Sequence, residues 1–167
     1  MVRLPPACPK LSGVIWRKFW RAVGDAPVFT PVARRVVALD RWLSRVTKGR
    51  VVALGMAPGL LLTTVGRRSG QPRQSPLQFV ADGEAYVVVG SNWGGEKAPA
   101  WVHNLSAQPH ATVTVGGRDI PVEAREATGD DRERLWQAFV DQWPGYRRYR
   151  ETAAHRTIRI FRLIPSR

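Results

Sequence analysis

Two short glycine turns, Asp82-Gly83 and Gly116-Gly117, each separate two runs rich in β-branched and apolar residues, and this limits what the chain can fold into. A two-residue turn at positive φ joins antiparallel neighbours, because its twist matches that of the flanking strands. The pattern predicts strands over residues 74–81 and 85–90 around the first turn, and over 111–115 and 118–124 around the second. Pro121 has no N–H to give to a ladder, which predicts an edge or a bulge in the last of these. Residues 59–65 read as a buried strand. Residues 157–163 read as a final strand, with Ile158, Ile160 and Arg162 on one side and Arg159, Phe161 and Leu163 on the other.

Two helices are expected among these strands. One covers residues 99–106, with Pro99 near its first turn. The other opens at Thr128-Gly-Asp-Asp131, with Thr128 as N-cap and the acids where the helix dipole favours them. Its buried face is Leu135, Trp136, Phe139, Val140 and Trp143, and Pro144-Gly145 stops it. No GxGxxG follows a strand and strands do not alternate with crossover helices, which excludes a dinucleotide-binding α/β unit. The expectation is an α+β domain with a mostly antiparallel sheet or barrel.

Between the strand at 59–65 and the next lies a basic bend, Gly66, Arg67, Arg68, Ser69, Gly70, Gln71, Pro72 and Arg73. Glycine admits positive φ and close approach to a ligand. Successive amides in such a bend form an anion nest, and arginine forks match phosphate or carboxylate. The residues alone leave two readings, an anion site and a solvated basic hairpin.

The 167 residues suit one domain with a sizeable core, and the net charge is +13. Residues 1–58 hold 11 Lys/Arg against 2 Asp/Glu, whereas residues 59–167 hold 15 against 11, so the surplus is mainly N-terminal. Such a surplus suits nucleic acid, an anionic membrane surface or an acidic ligand. Residues 11–23 read as a basic amphipathic helix carrying Trp16 and Trp20, and residues 32–46 as a second helix striped by Val36, Leu39, Leu43 and Val46. The first has the composition of an interfacial membrane helix and also of an ordinary docking helix. Cys8 is the sole cysteine, which excludes an intrachain disulfide and a cysteine-built metal site, and the three histidines lack ligand spacing. No apolar run is long enough for a spanning helix or forms a signal-peptide core. A cytoplasmic protein is expected, with peripheral membrane contact through residues 10–23 as an option.

Three blocks taken together, LLLTTVGRRSGQPRQSPLQF, VVVGSNWGGEKAPAWVHNL and WPGYRRYRE, resemble the deazaflavin-dependent nitroreductases of actinobacteria, which use coenzyme F420 on a split β-barrel. The likeness covers roughly residues 40 to 165. It implies a basic helical extension over 1–50 and a split-barrel, deazaflavin-binding domain over 51–167. It implies that Arg67, Arg68, Ser69, Gly70 and Arg73 hold the cofactor's phosphate and acidic tail, and that Pro76, Leu77 and Gln78 continue along it. Gly90, Ser91 and Asn92 match a loop whose amides meet the ring's carbonyls, with Ser91 beside the reactive face. Lys97, Trp101 and Asn104 match the next cofactor-binding element, with Trp101 and Asn104 one helical turn apart. Trp93, Trp143, Tyr146 and Tyr149 match the substrate pocket. Trp143 stands where tyrosine is often found and Asn92 where lysine is common.

The resemblance implies no metal and no protein nucleophile, because a deazaflavin is a two-electron hydride carrier. The protein's tasks are to orient the ring, seat an acceptor and stabilise developing charge. Quinones, enones and nitroaromatics are the implied acceptors, with Ser91, Tyr146 and Tyr149 as catalytic residues. Two other readings stand beside it: an FMN-dependent reductase on the same barrel, and a basic module for membrane or nucleic acid. No specific nucleic-acid motif is present.

Overall fold

The computed structural model describes residues 59–166. The helices expected over 11–23 and 32–46, the membrane contact at 10–23 and the 1–50 extension lie outside these residues. Seven strands form one antiparallel sheet: β1 (Gly59–Val65), β2 (Pro72–Gln78), β3 (Val80–Asp82), β4 (Ala85–Val89), β5 (His110–Val115), β6 (Arg118–Glu126) and β7 (Ile160–Pro165). Their spatial order is β2-β1-β5-β6-β7-β4-β3. Three helices complete the described fold: α1 (Ala100–Ala107), α2 (Gly129–Gln142) and α3 (Tyr146–Thr152).

The strand expected over residues 74–81 is two strands, and the break between them dictates the shape of the sheet. β2 pairs with β1, β3 pairs with β4, and only Phe79 lies between them, yet they are the two outer strands of the sheet. In a flat sheet six spacings of about 4.8 Å would hold these edges roughly 29 Å apart. Two Cα steps reach about 7.6 Å. The sheet must therefore curl until its edges meet, and this produces the expected split barrel. The Gly116-Gly117 hairpin forms as predicted, closing at Val115↔Arg118. The first hairpin forms one residue later than expected, with Gly83-Glu84 as its turn, because Asp82 still pairs with Ala85.

Alternate residues then face two cores. Leu60 and Leu62, Tyr86 and Val88, Val113, Val122, and Phe161 and Leu163 point to one cluster, which α1 enters with Trp101, Val102 and Leu105. Val87, Val89 and Ile160 point to the other, under Leu135, Trp136, Phe139 and Val140 of α2 and Tyr146 of α3. The alternation predicted for the last strand holds, although the ladder begins at Ile160 and leaves Ile158 in the irregular segment before it, packed in the second cluster.

Three local expectations change. Thr128 stands at the N-cap of α2, but its side chain makes no capping bond. Asp131 turns instead to Arg162 of β7 and Arg134, and Arg162 and Arg134 also reach Asp82, which ties α2 to the sheet by charge. Pro121 marks the end of a ladder and no bulge: its register with Thr112 is regular, and β7 pairing starts one residue later at Val122. α3 was not foreseen, because YRRYRET carries no apolar stripe beyond Tyr146 and Tyr149.

Candidate functional site

The basic bend after β1 is a built turn. The Gly66 N–H donates to the Gln71 carbonyl at 2.9 Å, and the Ser69 and Gly70 N–H groups donate back to the Gly66 carbonyl at 3.1 and 2.7 Å. A Cβ on Gly66 would sit 2.7 Å from Ser69 Oγ and 3.2 Å from the Gln71 carbonyl, and Gly70 has φ 65°, so both glycines are required. Ser69 Oγ accepts from the Gln71 N–H and from Arg73 Nη2, each at 3.4 Å.

The bend is braced from below. Asn104 of α1, 5% exposed, accepts from the Arg67 N–H through Oδ1 at 3.1 Å and donates from Nδ2 to Thr64 Oγ1 at 3.0 Å. Above this brace Arg67, Arg68 and Arg73 are exposed, and none of them forms an ion pair among the described residues. Arg125, Arg132, Arg134, Arg150, Arg159 and Arg162 all pair with carboxylates. Positive charge left unneutralised at one glycine-built corner is the chemistry of an anion site.

The second block forms the loop between β4 and α1. A Cβ on Gly90 would meet Val102 Cγ2 at 2.6 Å, so this residue lies directly on α1, two positions from Asn104. Ser91 is 8% exposed. Asn92 and Trp93 follow at φ 48° and 55° in a short 3-10 turn, two successive non-glycine residues in the left-handed region. Such residues cost about 1–3 kcal/mol each and persist only where the surroundings enforce them. Asn92 Nδ2 donates to the Lys97 carbonyl at 2.9 Å, and the Lys97 side chain is exposed.

Arg156 supplies most of the enforcement. Its Nη1 donates to the Gly90 carbonyl at 3.2 Å and its Nη2 to the Ser91 and Gly95 carbonyls at 2.7 and 3.0 Å, with Nε also on Gly95 at 3.1 Å. Desolvation lowers the pKa of this guanidinium, and no carboxylate pairs with it among the described residues. His155 Nε2 lies 2.7 Å from the Glu96 carbonyl.

The third block packs on the second. A Cβ on Gly94, at φ 72°, would collide with Thr152 Oγ1 and lie 3.2 Å from Tyr149 Cδ1, so α3 rests on this glycine. The Trp93 ring, 51% exposed, meets Tyr149 edge-on with centroids 6.4 Å apart. Tyr146 is 7% exposed and packs against Phe139 at 5.3 Å, Tyr149 at 5.4 Å and Trp136 at 6.0 Å. Burial raises its phenol above the ordinary value of 10.0 and pushes that of Tyr149 up to about 12. Trp143 is half-buried beside the same cluster.

The three blocks are therefore contiguous: the arginine bend rests on Asn104, α1 carries Gly90, and Gly94 carries Tyr149. Within that frame some expected roles change. Trp101 and Asn104 do not face outward together. The Trp101 ring lies in the first core cluster, edge-on to Phe161 at 6.0 Å, and the Asn104 amide is engaged by Thr64 and Arg67. Leu77 leans on the same cluster, while Pro76 and Gln78 are half-buried along β2. Arg156, His155 and Thr64 were not anticipated. They act on backbone carbonyls or on Asn104, and no motif spacing announces such contacts.

On this antiparallel split barrel the exposed arginine corner, the Ser91 loop and the tyrosines of α3 are joined in one frame, an arrangement suited to an anionic ligand. Comparison with known proteins narrows the class. The profile of the F420H(2)-dependent quinone reductase family matches residues 34–165, and the chain belongs to this family. It is 36% identical over 110 residues to the F420H(2)-dependent quinone reductase Rv1261c of Mycobacterium tuberculosis, covering 64% of this chain and 74% of that protein. A second M. tuberculosis protein, the putative F420H(2)-dependent quinone reductase Rv3178, is 35% identical over 89 residues, covering 53% and 75%. Among solved structures, the F420-H2 dependent reductase FDR-A superposes with a TM-score of 0.58 at 36% identity, over 64% of this chain and 93% of that one. The match favours a deazaflavin over the FMN-dependent alternative.

Proposed function

We propose that this chain reduces a quinone with hydride from reduced coenzyme F420, the bend at residues 66–73 gripping the cofactor's anionic tail. The observation that carries this reading is the set of three exposed arginines that have no carboxylate partner among the described residues, raised on a glycine turn that Asn104 braces. The residues present fit such a group: exposed guanidinium forks and turn amides suit a phosphate and carboxylates. The reduced cofactor supplies two electrons and a hydrogen as hydride, which an electron-poor acceptor takes up with one proton to give a hydroquinone.

The chain's own residues then have three tasks. Arg67, Arg68 and Arg73 bind and fix the tail, so that remote binding energy positions the reacting centre. The Ser91 hydroxyl and the Tyr146 phenol donate hydrogen bonds to the acceptor oxygen as negative charge develops there. Burial holds the Tyr146 and Tyr149 phenols protonated, which suits them as donors and leaves delivery of the proton to water. Trp93, Trp143 and Tyr149 offer flat apolar faces for a ring. Enones and nitroaromatics share the electron deficiency of a quinone and are further acceptors on this account.

Among the described residues no helix is long and apolar enough to cross a membrane. A lipid-dissolved quinone would be reached by peripheral contact through residues 10–23 of a cytoplasmic protein. Oxidation of chemically reduced F420 by a naphthoquinone under anaerobic conditions tests the reaction. Protein-dependent turnover is expected, and its absence with every quinone, enone and nitroaromatic tried would reject the proposal.

A further inference from the structure

We infer that Arg156 is a positioning residue that presets the Ser91 loop for its ligand, an inference that rests on the F420 reading above. The argument starts from the peptide planes. All described peptides are trans, and in a trans peptide the N–H points opposite to the C=O. Arg156 draws the carbonyls of Gly90, Ser91 and Gly95 to one side of the loop. The N–H groups of Ser91, Asn92 and Glu96 are thereby turned to the other side, and those of Ser91 and Asn92 find no backbone acceptor among the described residues.

A flexible loop would orient such amides only on binding, at a cost in conformational entropy. Here one side chain has already oriented them. Its planar fork reaches three carbonyls from three nitrogens held in fixed geometry, whereas an ammonium offers its donors from a single point. The same grip explains how the left-handed pair Asn92 and Trp93 is tolerated, since the loop is fixed on either side of it, at Ser91 and at Gly95. A structural ion pair would be cheaper for stability: the guanidinium is desolvated without a neutralising carboxylate among the described residues, and its geometry is directed wholly at the loop backbone. Arg156 touches neither acceptor nor ring on this account and acts through residues 90–95.

The test compares wild type, Arg156→Ala and Arg156→Lys as full chains. Oxidised F420 is titrated and its fluorescence quenching followed. Hydrogen exchange is read at the Gly94 and Gly95 amides in cofactor-free protein, because these two bond back to Ser91 and Asn92 within the loop. Methylguanidinium is then added to the alanine variant. Charge-assisted bonds of this kind translate to about a tenfold to hundredfold loss of F420 affinity for the alanine variant. Faster exchange at both glycines, partial recovery with methylguanidinium and incomplete recovery in the lysine variant are expected alongside it. Affinity unchanged in both variants while exchange accelerates would show that loop geometry is irrelevant to binding and would overturn the inference. Unchanged exchange would overturn it as well, by showing that Arg156 does not hold the loop. Wild type that fails to bind F420 would remove the cofactor reading and this inference with it, whereas failure confined to the variant comparison would leave that reading standing.

Discussion

Replacing Asn104 with alanine removes the brace beneath the arginine bend, and the consequence can be sized from its two hydrogen bonds. The side chain is 5% exposed and bonds the Arg67 N–H at 3.1 Å and Thr64 Oγ1 at 3.0 Å. Each bond contributes about 1 kcal/mol net, and a buried partner left unsatisfied costs about 1–3 kcal/mol. Thr64 is itself buried, although its hydroxyl can rotate, so a total near 2–4 kcal/mol is expected. With an unfolding entropy of about 2.1 cal/mol/K per residue, 167 residues give roughly 0.35 kcal/mol/K. The melting temperature should then fall by about 6–11 °C, and F420 affinity with it, because Arg67 loses its anchor. Asn104→Asp is the charged counterpart. Its carboxylate can accept from the Arg67 N–H and from a rotated Thr64 hydroxyl, which keeps the brace, while desolvation of the buried charge costs stability, so the variant should melt below wild type. It also places a negative charge under the bend and should weaken F420 binding, more so at low salt. Thermal unfolding and F420 titration read both quantities. An alanine variant that melts within about 1 °C of wild type would refute the bracing argument.

Tyr146→Phe keeps the ring that packs against Phe139, so it should leave the fold intact, and it should slow acceptor reduction without altering F420 affinity. Equal turnover with every acceptor would remove Tyr146 from the mechanism. Both phenols are raised by burial, so the pH profile of turnover should show no phenol-dependent limb below the ordinary value of 10.0. Acid stability should follow the cluster of Asp131, Asp82, Arg162 and Arg134. Asp131 is held at about 2 against 3.8, chiefly by its hydrogen bond to Arg162, and Asp82 is lowered too, first by Arg134. A depressed carboxylate stabilises the fold above its unfolded value and loses that contribution as pH falls toward its folded one. Melting temperatures should therefore decline between pH 3.8 and about 2, and Asp131→Asn should flatten that decline.

The sheet was legible because its signals are local. Gly83 and Gly116-Gly117 mark their hairpins through positive-φ backbone, although the first turn lies one residue later than Asp82-Gly83, and Ile158, Ile160, Phe161 and Leu163 sort between two cores by alternation. The break at Phe79 was not legible, because no glycine or turn residue separates Gln78 from Val80 and only closure of the curl decides where one edge ends and the other begins. At the site, the glycines of residues 66–73 announced a tight basic bend, while its residue types alone left an anion site and a solvated hairpin both open. Asn104 illustrates the limit: its position one turn after Trp101 was seen, but its direction depends on how α1 enters the barrel, and it turns to Thr64 and Arg67. Arg156 left no trace in the pattern, because its partners are carbonyls that every residue possesses.

The central claim, that an arginine corner holds the anionic tail of a deazaflavin, is tested most directly by titrating oxidised F420 into wild type and into the triple variant Arg67→Ala, Arg68→Ala, Arg73→Ala while following cofactor fluorescence. The account predicts saturable quenching in wild type, weakened by added salt, and a loss of affinity of at least about a hundredfold in a variant that melts like wild type. Equal affinity in the two proteins, or tight FMN binding with none for F420, would contradict it.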